Sequence, residues 1–377
     1  MHRQIVALFI VFVTGVCIAA PVRAQGQDAS TETTYHVGGT ARGYYINDQR
    51  LQFSGQESTF AAEGQFNGRV QQTHGSWRFG LDGEVFLNQP FDRNILQNTP
   101  QRQSFLSNFD VEPFQISQLS ITSGRGPFSA SFGRFVTPFG RFYYPIYRNN
   151  FDDSPFIRSE AVLYRETGLL LKLEPKGFSL AAALTNGGAE QDTNSSKALV
   201  ARAGVQGEHF AIGGSVKTQD GIGSERQKTF KSHFGGDAMV RNANWTLSAE
   251  AIHDEYGFRQ PGYDPNDIFW GRSLYFRDLN KAPSEPITGF GYYMNADVVW
   301  TPLSLTVNYG EFYPDQLGVP EHDVTDRRGF VKVSGHMTPN FDVYLVAMLE
   351  NSLDDFLFFR GRRGHYGILG FQFSIEK

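Results

Sequence analysis

The sequence predicts an all-β chain, a transmembrane antiparallel β-barrel of about 16 strands with an inward-folded third loop, and three observations lead there. From Tyr35 onward, segments of about ten residues alternate apolar and polar side chains, the period of a strand with one apolar face. The connections between these segments alternate between short and long. No change in composition offers a place to cut a chain of 377 residues into separate domains.

The first element is a leader over residues 1–24. Arg3, an apolar run from Ile5 to Ala20 and then Val22-Arg23-Ala24 have the layout of a cleavable export signal, so a mature chain from Gln25 to Lys377 is expected. Cys17, the one cysteine, lies inside the leader, and the mature chain can use neither disulfides nor thiolate metal sites. Beyond the leader no apolar run approaches the roughly eighteen to twenty residues of a spanning helix, which excludes a helical membrane protein. The formal charge of the whole chain, 34 − 39 = −5, becomes −7 without Arg3 and Arg23. That mild acidity argues against a nucleic-acid partner.

The strands follow. Phe178, Leu180, Ala182 and Leu184 share one face, with Ser179, Ala181, Ala183 and Thr185 on the other; Phe341, Val343, Leu345, Ala347 and Leu349 oppose Asp342, Tyr344 and Glu350 in the same way. Short connections such as "TSGRGP", "EPKG", "VQGEH", "RNAN", "TPLS" and "TPNF" carry the Gly, Pro and Asn of tight turns. Between them lie long polar ones: Asn47 to Glu57, Leu87 to Val111, Val136 to Leu163, Asn186 to Ser196, Gln219 to Gln227, Asp254 to Ile287, Tyr313 to Thr325 and Ser352 to Arg363. Short turns at one end and long loops at the other are the pattern of outer-membrane barrels, and an even strand number puts both termini at the periplasmic end. A set of soluble β-sandwich domains would alternate too, but would not produce the loop asymmetry. Trp77, Trp245, Tyr292, Trp300 and Phe341 fall near strand ends, as an interfacial girdle requires. In the fourth strand, "FQISQLSIT" breaks its own alternation, which points to a one-residue bulge.

The third long loop, residues 136–163, is the expected constriction. Prolines 138, 145 and 155 oppose extension of the flanking strands, and Phe139, Tyr143, Tyr144 and Tyr147 supply rings to pack on the barrel wall. A lumen of about sixteen strands is too wide to discriminate solutes unless a loop narrows it. In and beside this loop Arg134, Arg141, Arg148, Arg158 and Arg165 outnumber Asp152, Asp153 and Glu160. Guanidinium groups bind oxyanions through paired donors, so the excess fits an anion constriction; the same arginines could instead neutralise the acids and pin the loop to the wall. On the polar strand faces, Arg42, Arg69 and Arg78 come from three successive strands. Arg328 and Lys332 lie near them across the expected closure, and Glu63, Asp82, Glu84, Asp342 and Glu350 share that face.

The stretches "GRFVTPFGR", "FIRSEAVLYRETGLLL" and "AALTNGG" between Phe132 and Gly188 resemble the phosphate-selective porin O/P family and related Gram-negative outer-membrane porins. Gly133, Phe135, Pro138, Phe139 and Gly140 match that family's turn into the third loop, and Gly168, Asn186 and Gly187 match the following strands. The resemblance implies a homotrimer of sixteen-stranded barrels that passes small anions or other polar solutes through the outer membrane, in contact with the lipid bilayer and lipopolysaccharide and without a cofactor. This loop has no lysine and contains Asp152 and Asp153, so phosphate specificity does not carry over.

Two rival functions would leave other marks on the sequence. A barrel enzyme would need a nucleophile in a recognisable context, but no serine stands in G-x-S-x-G and the histidines are dispersed; they read as lumen or loop residues. A structural or adhesive barrel would need a plugged lumen. Asp254, Glu255, Asp264 and Asp267 lack a regular oxygen-ligand spacing and read as solvated loop, and no zinc motif is present.

Overall fold

In the computed structural model the described residues are 31–48, 58–89, 114–140, 165–187, 197–222, 229–258, 287–315, 326–351 and 363–376. They form β1 (Thr31–Asp48), β2 (Ser58–His74), β3 (Trp77–Gln89), β4 (Phe114–Arg125), β5 (Phe128–Val136), β6 (Arg165–Leu173), β7 (Phe178–Thr185) and β8 (Ala198–Gln206). The second half is β9 (Phe210–Ile222), β10 (Thr229–Arg241), β11 (Trp245–Phe258), β12 (Ile287–Trp300), β13 (Leu303–Asp315), β14 (Asp326–Thr338), β15 (Phe341–Asn351) and β16 (Arg363–Glu376). Each strand pairs antiparallel with its neighbours in sequence, and β1 pairs with β16, so the sheet closes and has no free edge. No described helix is long and apolar enough to cross a membrane.

Closure turns the usual burial pattern inside out. The large apolar side chains on one alternation of each strand are the exposed ones, with Phe60 at 82% and Phe132 at 67%, because they form the outer, lipid-facing surface. The other alternation faces the lumen and holds Thr40, Arg42, Glu166, Lys217, Asp237 and Glu250, all buried. At the short-turn end Trp77 stacks near Phe79 with ring centroids 6.3 Å apart, and Arg125 lies over its indole. Phe341 meets Phe371 there as well.

The expected irregularity in the fourth strand is present. Glu84 pairs with Gln118 while Val85 pairs with Ile116, so Ser117 is the extra residue of a bulge. It lets Ile116 and Leu119 both lie among the exposed apolar residues despite their odd separation. The shortest strands are β5 to β8, at 9, 9, 8 and 9 residues, and this low part of the wall is where the third loop begins.

Candidate functional site

The root of the third loop folds into the barrel. Pro138 fixes its own φ, and around it Phe139 N–H donates to the Thr137 carbonyl at 2.7 Å, a tight turn that breaks the β5 line. Gly140 follows at φ 66°, a left-handed conformation that suits a residue without Cβ, and its N–H donates to Ser215 Oγ on β9 at 2.8 Å. The Phe139 ring is 1% exposed and lies on Gly235 of β10, where an added Cβ would come within 2.9 Å of it. Four residues thus carry the chain from β5 across the inner wall to β9 and β10.

Beneath this root sits a buried carboxylate. Glu166 on β6 is fully buried and takes a 2.6 Å ion pair from Lys217 Nζ on β9. Its other oxygen accepts from Thr137 Oγ1 at 3.3 Å and Thr185 Oγ1 at 3.2 Å. The loop root, β6, β7 and β9 are tied at one point, and the Lys217 charge is spent on Glu166. One step along the wall, Arg202 holds Asp237 through a two-bond contact at 2.7 and 2.9 Å. Lys217 and Arg202 are thus each matched by an acid.

On β15 the Tyr344 ring is buried, with Lys332 Nζ of β14 at 4.8 Å from its centroid and the Arg42 guanidinium of β1 at 5.9 Å. Arg42 Nε also donates to Gln372 Oε1 on β16 at 2.7 Å. Two cations from strands on either side of the closure thus approach one aromatic ring. Arg69 pairs with Asp82, and Arg78 donates to the Gly126 carbonyl at 2.6 Å in the β4–β5 turn, which ties it to the short-turn rim. Arg328 lies on β14 opposite Gly310 and Glu350, and its side chain is outside the described residues.

Arg134 requires a correction. It was expected in the constriction, but β5 pairs through Val136, so Arg134 is a strand residue opposite Leu119 and Thr167. It shares the alternation of the exposed Phe132 and Val136, on the outer face, while Phe135 takes the lumen side. Arg165 opens β6 opposite Val136, with its side chain outside the described residues, as are Arg141, Arg148, Asp152, Asp153, Arg158 and Glu160 in full. The expected leader, residues 1–24, and most of the acidic stretch after His253 lie outside them too. Among the described residues no three His, Cys, Asp or Glu side chains gather as metal ligands.

Glu166, Lys217, Arg202 and Asp237 stand on the polar alternation of their strands, but their partnerships depend on register. Ser215, Gly235 and Gln372 carried no signal in the sequence. The resembling residues do converge: Gly133 pairs with Gly168, and a Cβ on either would be driven into a backbone carbonyl, of Leu119 or of Leu184. Gly187, at φ 70°, sits against the Gln219 amide.

The fold is that of bacterial outer-membrane porins, a closed antiparallel barrel of sixteen strands. Among similar solved structures is the in-vitro folded outer-membrane protein OmpT of Vibrio cholerae in its trimer form, 10% identical at a TM-score of 0.61, covering 92% of this chain and 100% of that one. The outer-membrane channel DcaP of Acinetobacter baumannii is 11% identical, with a TM-score of 0.59 and coverage of 92% and 98%. A refined porin is 12% identical at 0.58, with 91% and 100% covered. No family model matches the chain, and no curated relative does.

Proposed function

We propose that this protein is an outer-membrane porin related to the phosphate-selective O/P group, a passive diffusion channel for small hydrophilic solutes with a preference for anions. The observation that carries the reading is the convergence of Arg42 and Lys332 on the Tyr344 ring, on the wall facing the third-loop root. The third-loop root lies on β9 and β10, above a wall whose Lys217 and Arg202 are each matched by an acid, and Arg42 and Lys332 converge on Tyr344 on the facing wall. A solute passing between loop and facing wall meets cations at close range, in a narrowed passage where each charge counts for more than in bulk water.

Arg141, Arg148 and Arg158 remain the loop residues proposed to face the passage, opposed by Asp152, Asp153 and Glu160. Export by residues 1–24, assembly as a homotrimer and contact with lipopolysaccharide belong to the same proposal. The porin-like fold supports it, as does the matching of Gly133, Phe139, Gly140, Gly168 and Gly187 to positions that need those residues. The test is single-channel conductance in a planar bilayer, with the reversal potential taken under a potassium chloride gradient. Stepwise conductance with an anion-selective potential is expected. A cation-selective potential would transfer control to the acids, and a closed barrel would favour the adhesive alternative.

A further inference from the structure

We propose that Ser304, His336 and Asp342 form a nucleophilic serine site on the lumen wall at the short-turn end of the barrel, acylated by small carboxylic esters that enter the lumen. His336 Nδ1 lies 2.7 Å from Asp342 Oδ1, and its Nε2 lies 3.1 Å from Ser304 Oγ. A carboxylate at Nδ1 holds the proton on that nitrogen. The Nε2 lone pair is then left to accept the serine proton, the relation a general base needs.

Three strands supply the three residues. His336 of β14 is directly opposite Asp342 of β15, and Ser304 of β13 is opposite Ser334, one pleat from His336. All sit on the lumen alternation. Between His336 and Thr338 the β14–β15 register shifts, with Met337 left over and exposed on the outside; such a bulge re-aims the side chain beside it. The His336 and Asp342 side chains are 38% and 28% exposed, so a solute in the lumen reaches them. The buried Glu166 cluster, by contrast, is closed to solvent.

Ser304 Oγ attacks the ester carbonyl carbon and its proton passes to His336 Nε2, while the carbonyl π pair moves onto oxygen. As that oxyanion collapses, the ester C–O bond breaks and the alcohol leaves with the proton from His336. Water then attacks the acyl-serine, again giving a proton to His336, and the carboxylic acid departs with Ser304 restored. Asp342 stays ionised throughout and stabilises the imidazolium. Backbone N–H groups here belong to the ladder, so the oxyanion must be met by side chains. Ser334 is directly opposite Ser304, at a usual Cβ spacing of ~5 Å, and Lys332 lies one pleat further along β14. One well-placed oxyanion donor is worth about 10²- to 10³-fold in rate, so a site lacking backbone donors turns over slowly and is best read by covalent capture. Lys332 and Arg42 favour esters that also carry an anionic group.

The test treats the folded full-length protein in detergent with a fluorophosphonate probe and maps adducts by peptide mass; it needs only a folded barrel and is independent of conductance. Labelling at Ser304 is expected at least tenfold above the lumen-side serines Ser129 and Ser179. It should vanish in Ser304→Ala and fall at least tenfold in His336→Gln and Asp342→Asn, with folding checked by heat-modifiable migration. Equal labelling of Ser304, Ser129 and Ser179 in the wild type, or none, overturns the site even if no variant folds. Unchanged labelling in a folded His336→Gln overturns it as well.

Discussion

Replacing Lys217 with methionine should free the third-loop root while leaving the barrel closed. The pair it breaks is buried at both ends: the Glu166 side chain is fully buried and that of Lys217 is 6% exposed. Methionine keeps the aliphatic volume and removes the charge, leaving Glu166 with only the two threonine hydroxyls at 3.2 and 3.3 Å. Removing one partner of a buried ion pair costs about 3–5 kcal/mol, because the remaining charge is stranded without water or counter-ion. The cheapest relief is local: Thr137 and Phe139 lift away and water reaches Glu166, whereas opening β6 would break two strand ladders. At about 1.4 kcal/mol per decade, the released population should rise by roughly two to three and a half decades. Trypsin reports it through cleavage after Arg141, Arg148 or Arg158, alongside noisier or larger single-channel currents. The double variant Glu166→Gln with Lys217→Met removes both charges and should recover most of the wild-type resistance, since a neutral amide strands no charge. If the double variant is cut as fast as Lys217→Met, or the single variant as slowly as wild type, the ion pair does not hold the loop.

Phe139→Ala should empty the seat over Gly235 and raise conductance without loss of the folded barrel, as seen in bilayer recordings against heat-modifiable migration; unchanged conductance would mean the root does not narrow the passage. Arg42→Gln with Lys332→Gln should move the reversal potential toward cation preference by removing both cations from the Tyr344 face, and an unmoved potential would assign selectivity elsewhere. Gly168→Ala should fold poorly, because its Cβ would meet the Leu184 carbonyl in a paired ladder that cannot shift locally; a cost of about 1–3 kcal/mol is expected from such overpacking, and a fully stable variant would contradict it. Arg134→Gln should leave ion selectivity unchanged in the same recordings, since its register is on the outer face.

By itself, the sequence determined the strand pattern, the loop asymmetry, the bulge in the fourth strand and the lumen or lipid alternation of most wall residues. Each of these is a local property, since a period of two and a turn signal need no knowledge of what lies across the sheet. The loop root was legible in part, because Pro138 and Gly140 act on their own backbone and Phe139 had to find a seat somewhere. Partnership was not legible. Glu166 with Lys217 joins β6 to β9, Arg42 with Lys332 meets across the closure, and Ser304, His336 and Asp342 gather from three strands. Those meetings depend on the register of every intervening pair and on the barrel's closing, where one residue of slip turns a strand inside out. Arg134 shows the same limit: its face was decided by whether pairing ended before or after Val136, which only the neighbouring strands settle.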